Sequence, residues 1–305
     1  MALTKRKADE KTSKTFYVHS GVFPFKVVAF NPGLKQLKAL GRNFEEEPEY
    51  IVDDNLNEGK KQFKATFWLS NKEITGKNEK GKEVTIKEGS LVTPFTFYIS
   101  EVDQVSQDGA KTKFINKWGQ GMFAESKDDL PDFYESTGAR VAKRGEEELM
   151  TFMFSYANLM KEDENVLEDP NKLFEDDSEI RDTVEALMEE GNIVRCLVGM
   201  KGSDGERGLN VNQNIYRGFY RKKGERSVVP FKSFINCENV SEQNKQDKLD
   251  RRKPNFDYYT FEPVQMPIDE AREIVKQNME NPDKDGDQTE DVAPAPEMED
   301  VDADF

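Results

Sequence analysis

The residues in this chain best suited to chemistry do not form a catalytic set. They are the run Tyr216-Arg-Gly-Phe-Tyr-Arg-Lys-Lys223. On a strand, Tyr216, Gly218, Tyr220 and Lys222 share one face. Two tyrosines separated by a glycine leave a flat area open to a nucleobase, and Arg221, Lys222, Lys223 and Arg226 offer cations to phosphates. Single-stranded nucleic acid requires this combination of π-faces for bases and charge for backbone. The competing reading packs the tyrosines in a core and leaves the cations as a solvated edge that resists aggregation. Phe219 and Ile215 point inward in this register. Arg217 falls on the same inward face without an explanation from the pattern, and it stays among the candidate binding residues.

Two smaller patches resemble this run. Lys64, Thr66 and Trp68 lie opposite the apolar face of their strand, and Tyr98 does the same on its own. Lys113, Lys117 and Trp118 run into Gly119 and Gly121. Each tryptophan is either a core residue or a platform for a base. A further basic run, from Lys245 to Lys253, reads as a loop that could touch phosphate.

Other chemistries are poorly served. Gly76-Lys-Asn-Glu-Lys-Gly81-Lys82 fits the GxxxxGK spacing of a phosphate-binding loop. Such a loop needs Ser or Thr next and a helix behind it; here Glu83 follows and Val84-Thr-Ile86 reads as strand. The abundant carboxylates crowd into helices, loops and the tail rather than onto neighbouring strands, as a metal-dependent nuclease would need. The single histidine, His19, argues against a His-rich zinc site or a His-based triad. Cys196 and Cys237 fit no CxxC pattern and read as two buried free thiols, with a disulfide as the alternative. The expectation is a protein with no catalytic residues, no metal and no cofactor.

Taken as a whole, the formal charge of −16 over 305 residues opposes an anionic partner. Its distribution reverses that. Residues 280–305 carry a net −10, and residues 161–190 another −10. Removing both blocks from −16 leaves a body of net +4. Residues 201–253 alone are net +6. The last block, rich in Asp, Glu and Pro, holds too little apolar surface to offset its ordering entropy and is expected to be disordered. At its end Asp300, Asp302 and Asp304 alternate with Val301, Ala303 and Phe305. A terminal aromatic with no core to join reads as a docking tip for a partner. The first residues lack an apolar signal region, and no apolar run approaches a membrane span, so a soluble, cytoplasmic protein is expected.

The elements that must position these side chains follow from periodicity. Residues 1–14 form a flexible basic arm. Val22–Phe30 is β-branched and aromatic, with Pro24 pointing to an edge or a bulge. Leu34, Leu37 and Leu40 fit one short helix ending at Gly41. Phe63, Ala65, Phe67 and Leu69 alternate with polar residues, as do Phe95, Phe97 and Ile99, which predicts half-buried strands. Residues 76–90 read as a hairpin, and 113–118 as a strand entering a Gly turn. Helices are expected over 145–160 and 178–190, the second capped by Ser178 and stopped by Gly191. Strands resume at 193–198, 212–222, 228–235 and 258–262, and Pro267 opens a last helix. The class is mainly β (α+β): an OB-like β-barrel over 15–279 with a helical insertion at about 128–191 and a disordered acidic C-terminal tail. Two β modules joined by helices are the alternative.

In its tail, Glu299-Asp-Val-Asp-Ala-Asp-Phe305, the chain resembles tailed-phage single-stranded DNA-binding proteins. The segment Lys113-Phe-Ile-Asn-Lys-Trp-Gly-Gln120 is similar to a stretch in such proteins. The tail departs from the bacterial pattern, where proline precedes the final phenylalanine, and the zinc ligands of some phage relatives are absent. The resemblance implies an OB-fold that coats single-stranded DNA in phage replication or recombination. It also implies a tail that competes for the groove and recruits replication or recombination proteins, all in the host cytoplasm. An acidic scaffold without nucleic-acid binding is the other class of reading. The basic-aromatic run at 216–223 favours the first, because a scaffold does not need it.

Overall fold

A computed structural model describes residues 16–117, 119–157, 169–205, 208–215 and 262–280. In chain order the elements begin with β1 (Tyr17–Phe30), α1 (Leu34–Ala39), β2 (Ile51–Asp53), β3 (Lys61–Asn71), β4 (Ile74–Asn78), β5 (Glu83–Ile86) and β6 (Val92–Ser100). They continue with β7 (Thr112–Ile115), β8 (Gly121–Ala124), α2 (Asp132–Ser136), β9 (Arg140–Val141), α3 (Glu146–Ala157) and α4 (Ser178–Glu189). The last are β10 (Ile193–Gly205), β11 (Gly208–Ile215), β12 (Val264–Pro267) and α5 (Ile268–Glu280). The expected arm at 1–14, the strand at 228–235, nearly all of that at 258–262 and the acidic tail lie outside the described residues.

Nine strands form one mixed sheet that branches at β1. The N-terminal half of β1 pairs with β12, its middle with β10 and its C-terminal half with β3. β3 carries β2 and β6, while β12 runs parallel to β4 and leads on to β5. The sheet is open among the described residues, with β11 at one end. β7, β8 and β9 make a separate three-stranded sheet.

Pro24 sits inside a central strand rather than on an edge. In β1, residues 17–20 face β12 and residues 25–30 face β3, so Pro24 falls where one neighbour gives way to the other. Its carbonyl accepts from Lys72 N–H at 2.9 Å. The missing proline N–H on that side therefore costs no ladder bond. The bulge comes later, between Val27 and Ala29, and it returns Phe30 to the core face beside Val27.

The alternating apolar residues of β1, β3 and β6 all turn to one side. Phe23, Phe25, Phe63, Phe67, Phe97 and Ile99 are buried there, and α3 and α4 cover them. Phe152 of α3 lies against Phe67 (ring centroids 4.5 Å apart) and Phe97 (5.2 Å). Ile180, Val184 and Leu187 supply the buried stripe of α4, which ends at Gly191 with φ +74°. Asp177 holds the position before α4 where Ser178 is expected. Asp176 accepts from the Ser178 amide (3.0 Å) and hydroxyl (2.8 Å), which draws that hydroxyl away from capping. The end of β1 is tied to both layers by Asn31 (φ +39°). Its amide oxygen accepts from Thr66 N–H (2.8 Å), and its amide nitrogen donates to Asp177 (2.9 Å).

In the β4–β5 hairpin, Gly76–Asn78 belong to β4 and residues 79–82 form the turn. Asn78 Oδ1 accepts from the amides of Lys80 (3.0 Å) and Lys82 (2.9 Å), and β5 begins at once. The element that follows this loop is the strand β5, with no helix to face a phosphate. Cys196 is a fully buried free thiol, and burial raises its pKa. Cys237 lies outside the described residues. No described helix is long and apolar enough to cross a membrane. The described residues hold no cluster of His, Cys, Asp and Glu able to bind a metal ion.

Candidate nucleic-acid interface

Period-2 alternation that sends Phe63, Phe67 and Phe97 into the core sends Lys64, Thr66, Trp68, Thr96 and Tyr98 to the other face of the sheet. Register joins them in rows: Lys64 opposite Tyr98, Thr66 opposite Thr96 and Trp68 opposite Pro94. Lys64 N–H donates to Tyr50 O at 2.7 Å, away from β6. The Lys64–Tyr98 pair is therefore of the non-hydrogen-bonded type, in which side chains come closest, with Cα atoms about 4.5 Å apart. Tyr98 is 55 % exposed. Next to this pair, the hydroxyls of Thr66 and Thr96 meet at 3.0 Å. A cation beside an open phenol, with hydroxyls alongside, suits a base and its phosphate.

Trp68 behaves differently. α1 lies on this face, and Leu37, Ala29 and Trp68 form a small cluster of their own. Arg42 stands over the indole, 5.2 Å from its centroid, and donates to Val92 O at 2.8 Å. Trp68 is 5 % exposed and presents no ring face to a base. The sequence did foretell the cause: Leu34, Leu37 and Leu40 build α1, with Gly41 at φ +72° ending it. It did not show where that helix would land.

Lys113 is likewise withdrawn. It is 9 % exposed, ion-paired with Glu147 and set over the Phe123 ring at 5.1 Å. Gly121 makes room for it, since a Cβ there would collide with the lysine stem. Lys117 is half-buried in the β7–β8 turn, where its N–H donates to Thr137 O at 3.4 Å. Both belong to the small sheet, apart from the Lys64–Tyr98 row. Trp118, the whole run from Tyr216 to Arg226, and Asp300, Asp302, Asp304 and Phe305 lie outside the described residues.

Two cations missing from the sequence reading share the face of Lys64. Arg195 of β10 is opposite Pro24, and Lys26 is opposite both Ile193 and Ser70. Lys26 is ion-paired with Glu88. The alternation of Pro24 and Lys26 with Phe23 and Phe25 was a usable signal for Lys26. Arg195 needed the β1–β10 register. In comparisons with known proteins the chain matches no family model, no curated protein and no solved structure.

Proposed function

We propose that this is a non-enzymatic protein that coats single-stranded DNA with little sequence preference, in phage DNA replication or recombination. The observation that carries the reading is the Lys64–Tyr98 row, an open aromatic next to a cation on the polar face of the sheet. β11 adds support: it pairs with β10 up to Ile215, and the run beginning at Tyr216 follows directly in the chain. An OB-like barrel would need further strands from residues 216–261 to close the open sheet. The site of action is the cytoplasm of the host cell.

In this proposal the acidic tail is the regulator. α5 packs on β10 and β11 through Ala271 and Val275 against Met200 and Val211, and the tail continues from its end. A chain of 25 residues with the reach of a random coil spans about 28 Å, enough to compete with DNA for a nearby cationic face at high effective concentration. Displaced, it offers Asp300, Asp302, Asp304 and Phe305 to replication or recombination proteins.

Titration of labelled oligo-dT and of duplex across a range of salt tests the binding. Tyr98→Ala and Tyr220→Ala should each weaken oligo-dT binding by about 1–3 kcal/mol, or roughly 5- to 150-fold, with the melting transition retained. No binding of oligo-dT by the intact chain, or equal binding of duplex, would refute the reading and favour an acidic scaffold. Removing residues 281–305 leaves α5 whole and should tighten oligo-dT binding. Unchanged or weaker binding would contradict tail competition.

A further inference from the structure

We infer that Arg144 completes a single-nucleotide subsite at Tyr98, opposite Lys64; this rests on the single-stranded DNA reading above. β6 has β3 on one side. On its other side, near its end, runs the segment that follows β9. Ser100 N–H donates to Arg144 O at 3.0 Å, and Arg144 N–H donates to Val102 O at 3.0 Å. Gly145, at φ +86°, lets this segment press against Tyr98, since a Cβ there would collide with the Tyr98 carbonyl. Arg144 therefore sits beside Ser100, whose side chain shares a strand face with that of Tyr98.

Charge separates Arg144 and Lys64 from their neighbours. Lys61 is paired with Asp53 (2.7 Å), Lys60 with Glu101 (3.7 Å) and Lys143 with Asp103 (2.9 Å). Arg144 is exposed, and neither it nor Lys64 has an ion pair among the described residues. Asp54, whose carboxylate Arg144 helps only weakly to hold low, is buried and already accepts from the Ser100 hydroxyl, the Asn57 amide (2.8 Å) and Leu56 N–H (2.8 Å). Two uncommitted cations thus flank one open ring. Lys64 is on β3 and Arg144 is in the turn after β9, on opposite sides of β6, and their long side chains can reach toward the ring between them. A base stacked on Tyr98 would place its two flanking phosphates at Lys64 and Arg144, with the strand crossing from β3 over β6.

The subsite predicts different signatures for cation and ring. In oligo-dT titrations, Arg144→Ala and Lys64→Ala should each make the log K against log salt slope less negative by about 0.7. Tyr98→Ala should lower affinity and leave the slope unchanged. Arg144→Lys should restore the slope, and Lys143→Ala, which removes a cation already paired, should not change it. If Arg144→Ala keeps the intact chain's slope while Lys64→Ala reduces it, the subsite lacks Arg144 and the DNA reading stands. If the intact chain shows no oligo-dT binding, the DNA reading fails and takes the subsite with it. Melting curves on each variant identify a slope change that comes from unfolding, and Arg144→Gln then replaces the alanine variant.

Discussion

Phe152→Ala should destabilise the protein by about 3–5 kcal/mol, the range for removing a large aromatic from a packed core. The residue is fully buried, and its ring meets four others: Phe67 at 4.5 Å, Phe97 at 5.2 Å, Tyr156 at 6.0 Å and Phe95 at 6.5 Å. These rings join α3 to the back of β3 and β6. Truncation would open a cavity lined by stiff aromatics that cannot collapse into it, which puts the cost toward the upper end. The midpoint of urea unfolding measures it, with the slope of the transition unchanged. A loss below about 1 kcal/mol would mean that α3 is not the element that closes this core. Since Lys64 and Tyr98 stand on the opposite face of these two strands, the same substitution should loosen the candidate interface as it loosens its backing.

Acidification from pH 6.5 to pH 4 should remove about 3 kcal/mol through His19 alone. His19 is 3 % exposed, and burial holds its pKa at about 4, against 6.5 in an open chain. Its Nδ1 has no hydrogen-bond partner among the described residues, and its ring edge meets Phe23 with centroids 5.9 Å apart. Gln213 braces the site by accepting from His19 N–H at 2.7 Å and donating to His19 O at 2.6 Å. Between the two pKa values the unfolded chain binds the proton and the folded one does not. The stabilisation is therefore complete above pH 6.5 and is lost as the pH falls toward 4. Carboxylates held low, such as Asp54 by the Ser100 hydroxyl and Asp176 by Ser178, lose their stabilisation in the same direction but in more acidic solution. Urea midpoints at pH 7.5, 5.5 and 4, with His19→Gln as reference, separate the contributions. Equal acid sensitivity in both proteins would show that His19 does not titrate in this window.

His19 stands where β1 meets β12, and Gln213 of β11 also donates to Gly199 O at 2.7 Å. Its protonation would thus strain the junction that holds β12 and α5, the helix from which the acidic tail extends. An acid-induced loss of structure should start there, and hydrogen exchange in Ile268–Glu280 would rise before exchange in β3 and β6.

Several local features were legible in the residues. Phe63, Ala65, Phe67 and Leu69 form a buried face because a strand repeats every two residues, and no distant partner can alter that parity. The helix stops at Gly41 and Gly191 follow from the positive φ that glycine adopts freely. Asn78 closes a hairpin through contacts with Gly81 and Lys82, three and four residues on. The features that escaped prediction involve distant parts of the chain. Trp68 looked available until α1 folded over it. Lys113 looked like a phosphate ligand until Glu147, 34 residues away, neutralised it. Pro24 looked like an edge marker, yet the gap between two partners of one strand accommodates it.

The sequence alone therefore determined which side chains share a face, because that depends on backbone periodicity. It also determined where the charge lies, an acidic tail and an acidic block on a basic body, because that is a property of the residues themselves. Only the tertiary structure decided which of those faces stays open. Burial depends on whatever else packs there, and α1 over Trp68, Glu147 at Lys113 and residues 142–145 beside β6 come from elsewhere in the chain. That is why Tyr98 and Lys64 remain of the described candidates, and why Arg144 joins them.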